Sequence, residues 1–315
     1  MSSGAQARSS DPGPAAEGGL DLDAVRAQFP SLTREVGGRT VAWLDGPGGT
    51  QVPQRVIDRV VAYFQHSNSN TDGHFAAALE TEQLIDDAKA AVGDLLGADP
   101  AGVAFGGSMT TLNFALAHAV ARTCSPGDRI VVTELDHEGN VSPWLQVARD
   151  RGLEVDVARG TAGGTLDVEH LESLLTERTR VVAFTLASNA LGSITPVERV
   201  VAAAHRVGAL AWADAVHFTP HRRVRKEQWG LDVLLTSAYK WCGPHLGIAA
   251  LTPSLAAELP TDRVRVADPS PPGHRVETGT LAHELVAGTL EAVEYLADLS
   301  GVPDQPRASR LDAAY

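Results

Sequence analysis

From about residue 100 onward the chain alternates short apolar runs with amphipathic stretches. The runs at 103–105, 130–133, 153–157, 181–186, 210–213, 231–236 and 248–251 are rich in Val, Ile, Leu and Ala and read as strands. Between most of them, helical spacing recurs over 112–122, 142–151, 168–175 and 196–207. Apolar strands alternating with amphipathic helices predict an α/β fold, a mostly parallel seven-stranded sheet covered by helices on both faces. Before residue 100, Val52, Val56, Ile57, Val60, Val61 and Phe64 predict one helix, and 75–96 a second that stops at Gly97. Asp21 or Asp23 caps a short helix that ends before Pro30. Beyond residue 250 the pattern loosens. Pro269, Pro271 and Pro272 mark a loop, 283–299 reads as helix, and the polar stretch ending at Tyr315 suits the start of another. Residues 1–19, rich in Ser, Gly, Ala and Pro, read as a disordered tail.

Composition narrows the function classes. The 315 residues are 43% hydrophobic and 21% charged, which excludes a largely disordered chain. The length suits one large domain plus a smaller partial one. No apolar stretch reaches the roughly 18 residues of a membrane helix. The formal charge of −13 argues against a nucleic-acid binder, and the basic run His221 to Lys226 reads as a solvated loop. Two cysteines, Cys124 and Cys242, make neither a disulfide framework nor a four-cysteine zinc site, so a reducing, cytoplasmic compartment is expected.

In open α/β sheets ligands gather at the carboxyl ends of strands, so the residues following each run matter most. After 103–105 come Gly106, Gly107, Ser108, Met109, Thr110 and Thr111 ahead of a helix. Free N–H groups at a helix start make an anion cradle, and a plain Ser or Thr cap has the same sequence. After 130–133 comes His137, whose flat ring suits stacking on a cofactor. Asn189 follows 181–186 and suits a hydrogen bond to a ring substituent. Asp214 ends 210–213, where a buried carboxylate needs a cation, a metal or a protonated ring nitrogen. Lys240, beside Trp241, Cys242 and Gly243 after 231–236, is not on a typical solvated face, and a desolvated amine is a nucleophile. A cradle, a stacking ring, a carboxylate and an amine at successive strand ends of one sheet match the needs of pyridoxal 5′-phosphate.

The chain resembles the class V aminotransferases, and most closely the cysteine desulfurase-like branch of the fold-type I pyridoxal phosphate enzymes. The motifs that carry this are Thr133-Glu134-Leu135-Asp136-His137-Glu138-Gly139-Asn140, Ser188-Asn189-Ala190-Leu191-Gly192, Ala213-Asp214-Ala215-Val216-His217, Ser237-Ala238-Tyr239-Lys240 and Glu277-Thr278-Gly279-Thr280, in that order. The resemblance implies that Lys240 forms a Schiff base with the cofactor. It also implies that Asp214 pairs with the pyridine nitrogen and that His137 stacks on the ring and helps move protons. Asn189 and His217, the latter where relatives often have Gln, lie near the ring's 3-oxygen. The resemblance further implies that Ser108, Met109, Thr110, Ser237 and Tyr239 hold the phosphate. Gly279 and Thr280 match the segment that relatives lend to the neighbouring subunit, which implies a homodimer. The expected domains are 20–45 (an N-terminal segment of the small domain), 46–283 (the large cofactor domain) and 284–315 (the start of a truncated small domain). The expected substrate is a small amino acid, with C–S lyase or desulfurase-type chemistry. Class V aminotransferase or epimerase chemistry, or a non-catalytic relative, are the alternatives.

The family's persulfide cysteine and carboxylate-binding arginine have no counterpart in these motifs. Cys124 reads as structural, and Cys242 lies close to Lys240 without the setting of a sulfur carrier. A metal centre built from His217, His221, Cys242, His245 and Asp214 is the weaker rival, since Pro220 argues against a shared helix face for the two histidines. No metal is expected.

Overall fold

The computed structural model describes residues 20–315, and the tail expected over 1–19 lies outside them. The first helix, α1 (Leu22–Ala27), is capped by Asp21, whose carboxylate accepts from the N–H groups of Asp23 and Ala24. A small antiparallel pair, β1 (Glu35–Val36) and β2 (Arg39–Thr40), follows. Next come α2 (Gln54–His66) and α3 (Ala76–Leu96). Gly97 ends α3 in the left-handed region, at φ +59°, and returns its N–H to Gly93.

The central sheet has seven strands: β3 (Val103–Gly106), β4 (Arg129–Thr133), β5 (Glu154–Ala158), β6 (Thr179–Thr185), β7 (Leu210–Asp214), β8 (Val233–Ser237) and β9 (Gly247–Leu251). All seven strand expectations correspond to observed strands, with ends displaced by a residue or two. The spatial order is β3-β9-β8-β7-β6-β4-β5. Neighbours from β8 to β5 are parallel, whereas β9 runs antiparallel to both β8 and β3. Two reversals restore direction, so β3 points the same way as the parallel strands and all six carboxyl ends share one edge. Register aligns that edge: Thr185 faces Asp214, Asp214 faces Leu235, and Gly247 lies opposite both Ser237 and Gly106.

The connecting helices are α4 (Met109–Ala121), α5 (Ser142–Arg151), α6 (Val168–Leu174), α7 (Val197–Arg206), α8 (Lys226–Trp229) and α9 (Pro253–Glu258), followed by α10 (His283–Asp298) and α11 (Arg307–Ala314). Successive strand residues point to opposite faces and feed two cores. Phe105, Val182, Phe184 and Leu234 pack with α3, α7 and α10, while Ala104, Ile130, Trp212 and Leu235 pack with α4, α5 and α9. Both faces are covered, which is why the strands read as continuous apolar runs. On the second face Trp144 meets Trp212 edge to face at 5.0 Å, both fully buried. α10 packs against α2 and α3, and Arg55 of α2 pairs with Glu291 and Asp298 of α10. No helix among the described residues is long and apolar enough to cross a membrane.

Candidate active site

The shared carboxyl edge opens into a cleft. Met109, Thr110, His137, Asn189, Asp214, His217, Ser237, Tyr239 and Lys240, all singled out from the sequence, line it. Ser108, Gly279 and Thr280 do not. The Ser108 side chain caps α4, accepting from Thr111 N–H at 3.0 Å. Gly279 and Thr280 lie exposed on a separate loop. Pro47, Thr185, Ala187 and Val216 complete the lining and were not singled out. Thr185 reads in sequence as the interior of an apolar run, and Pro47 reads as a loop breaker.

One end of the cleft is an anion cradle. At the start of α4, Met109 N–H donates to Ser237 Oγ at 3.2 Å, which ties the helix to β8. The N–H groups of Gly107, Ser108 and Thr110 have no partner among the described residues. They sit at the positive end of a 13-residue helix, where an anion is favoured. β9 presses against this turn. A Cβ on Gly247 would stand 2.1 Å from the carbonyl carbon of Ser108 and 2.5 Å from Met109 N, so only glycine fits.

The cleft floor is acidic. Asp214 is 3% exposed. Its Oδ1 accepts from Val216 N–H at 2.8 Å, and no side chain among the described residues donates to it. Burial pushes its carboxyl up to about 6, against the opposing pull of the Val216 N–H, His137 and Lys240. His137 is exposed above the sheet edge and caps the turn at 138–140, its Nδ1 accepting from Gly139 N–H at 2.9 Å. A neutral ring bonded in that way carries its proton on Nε2.

Lys240 is half-buried and closes the turn Ala238–Lys240. Its ammonium donates to the Pro47 carbonyl and lies 4.6 Å over the Tyr239 ring. Tyr239 stacks on His245, their centroids 4.6 Å apart. Thr50 donates to the Tyr239 carbonyl from both its N–H (2.9 Å) and its hydroxyl (3.1 Å), which brings the distant 46–50 segment to the lysine.

Three expectations are corrected or sharpened. His217 and His221 do meet, with ring centroids 5.0 Å apart, because the tight turn of 215–222 replaces the helix that Pro220 disfavours. Burial, His221 and Lys240 together lower the basicity of His217. Even so, the described residues contain no group of three or more His, Cys, Asp and Glu able to hold a metal ion. Cys242 does not line the cleft, and burial raises its thiol to about 11, far from the thiolate a sulfur carrier needs. The basic run is largely tied down: Arg223 donates to the Asp94 and Leu95 carbonyls and pairs with Asp312, and Lys226 is 1% exposed.

The family model described as aminotransferase class-V matches residues 42–313. The chain belongs to this family. It is 33% identical over 296 residues to a cysteine desulfurase of Synechococcus elongatus, covering 88% of this chain and 47% of that one. A cysteine desulfurase of Haloferax volcanii is 33% identical over 248 residues, 74% of this chain and 58% of that one. The chain thus spans about half the length of the curated relatives it matches. Among solved structures, a cysteine desulfurase from Escherichia coli superposes with a TM-score of 0.76 at 25% identity, covering 88% of this chain and 71% of that one. A cysteine desulfurase from Thermococcus onnurineus shares the fold, with a TM-score of 0.78 at 22% identity over 89% of this chain and 72% of that one. The family's members use pyridoxal phosphate. The residues present fit that group: a buried carboxylate without a side-chain donor suits a protonated ring nitrogen, and N–H groups at a helix start without partners among the described residues suit a phosphate.

Proposed function

We propose that this chain binds pyridoxal phosphate through Lys240 and acts on a small amino acid by C–S lyase or desulfurase-type chemistry. The observation that carries the reading is the convergence of Lys240, the buried Asp214 and the start of α4 at Met109 and Thr110 on one cleft. When bound, the cofactor supplies a conjugated ring that withdraws electrons from a bond at the substrate's Cα. Lys240 would hold the cofactor's aldehyde through its amine and would take or return a proton at the substrate's Cα. Asp214 accepts the ring nitrogen's proton in a hydrogen bond and keeps that nitrogen cationic. His137 would cover the ring face, with Nε2–H free for the reacting centre. Asn189 and His217 would hydrogen-bond the 3-oxygen. The backbone of Gly107, Ser108 and Thr110 would hold the phosphate together with Met109, Ser237 and Tyr239.

The reading includes a homodimer in a cytoplasmic setting. Gly279 and Thr280 are exposed and do not line this cleft, as expected of a segment given to a second copy. Ile57, Val61 and Phe64 form an exposed apolar stripe on α2, a surface that a second copy would cover. The large cofactor domain of this reading spans 46–283.

A cofactor-binding relative without turnover is the second reading. It is favoured by the lining itself, where among the described residues neither an arginine nor a cysteine appears. Incubation of the cofactor-loaded chain with L-cysteine separates the two. Sulfide with pyruvate supports lyase chemistry, and alanine, with sulfide appearing once an added thiol reduces the sulfur released, supports desulfurase chemistry. Cofactor binding with no spectral response to any small amino acid overturns it in favour of the second reading.

A further inference from the structure

We propose that Asp136 is a positioning residue for His137, anchoring an enclosed hydrogen-bonded chain that locks the His137 loop onto α4 and β7. The chain runs in one direction. Trp212 Nε1–H donates to Asn113 Oδ1 at 3.0 Å. Asn113 Nδ2 donates to the Gly139 carbonyl at 2.8 Å and to Asn140 Oδ1 at 3.1 Å. Asn140 Nδ2 then donates to Asp136 Oδ1 at 2.8 Å, and Thr133 Oγ1 donates to Asp136 Oδ2. Trp212, Asn113 and Asn140 are fully buried, Thr133 is 3% exposed and Asp136 is half-buried, so along the chain up to the Asn140 amide no water replaces a lost partner.

Both amides are used at both ends, which leaves the chain needing an acceptor where Asp136 stands. Its three anchor points are the strand that ends at Asp214, the helix that begins at the anion cradle, and the loop that carries His137. The position of the imidazole is therefore set by the same elements that set the carboxylate and the cradle. The carboxyl of Asp136 is desolvated and pushed up to about 8, Asp214 adding to the effect of burial. The titratable groups that face the Asp136–Asp214 pair are His137 on the loop itself and Lys240 beyond β8. A neutral acid still accepts from Asn140, so an amide at position 136 preserves the chain.

The inference rests on the reading of His137 as the ring-facing residue, and the test separates the two. Ring-nitrogen NMR of the full chain without cofactor, assigned with His137→Gln, reports the loop directly, and titration with pyridoxal phosphate reports the site. Asp136→Asn is expected to leave the His137 signals in place and the cofactor dissociation constant within about threefold. Asp136→Leu orphans Asn140 Nδ2. It is expected to move or broaden the His137 signals and weaken cofactor binding by roughly tenfold, the scale of one unsatisfied buried donor. Trp212→Phe removes a single donor and is expected to act in the same direction, and it decides the matter alone if Asp136→Leu does not fold. Unmoved His137 signals in Trp212→Phe, or an Asp136→Asn variant as damaged as Asp136→Leu, overturn the proposal. His137→Ala with undiminished cofactor affinity instead refutes the ring-facing reading, whatever the NMR shows.

Discussion

Asp214 is the residue whose burial makes least sense without a ligand. Its folded pKa of about 6 stands above the usual carboxylate value of 3.8. Stability is therefore present below about pH 4 and lost as pH rises through about 6. Asp214→Asn is expected to stabilise the cofactor-free protein at pH 7 by about 3 kcal/mol, the free energy of a two-unit shift, while removing turnover. Urea unfolding across pH 4–8 checks this, because a stability gap that does not grow with pH contradicts it. Gly247 makes the opposite case, a residue without a side chain whose absence of Cβ is the point. Gly247→Ala is expected to push Ser108 and Met109 out of the cradle and weaken cofactor binding by at least roughly tenfold. Fluorescence titration measures it. Lys240 and Asp214 are legible in sequence because an ionisable group ending an apolar strand is costly to bury and so needs a reason. Pro47 is not legible, since its place in the cleft depends on Thr50 reaching Tyr239 across 189 positions of sequence.

At the level of elements, hydrophobic runs announce strands but carry no direction. All seven strands are readable as runs, yet nothing in 248–251 tells that β9 runs against its neighbours. That reversal brings the Gly106–Met109 turn to the same edge as Lys240. The turn residues Gly107 and Ser108 are readable as a cradle, but whether the Ser108 side chain faces the cleft or caps the helix is decided by local geometry, and it caps. The short helix α8 holds a further buried charge. Lys226 is 1% exposed, and burial lowers its amine to about 8. A depressed folded value means that its contribution is present above the unfolded pKa of 10.5 and lost as pH falls through about 8. Lys226→Met is expected to stabilise the protein by about 3 kcal/mol at pH 7 and by little at pH 10.5, as read from denaturant midpoints.

For the whole molecule, the layered sheet gathers groups from most of the chain length, from Pro47 to Lys240, into one cleft. The proposed homodimer would cover the exposed α2 stripe and the Gly279–Thr280 loop. Sedimentation equilibrium is expected to give twice the chain mass, and a monomer that binds cofactor tightly contradicts the shared-site arrangement. The central claim is that Lys240 and its surroundings form a pyridoxal phosphate site, and the visible absorption spectrum with added cofactor tests it most directly. The wild-type protein is expected to develop a protein-dependent band that Lys240→Ala abolishes without loss of fold. An identical spectrum for the two proteins, or no band in the wild type, would contradict it.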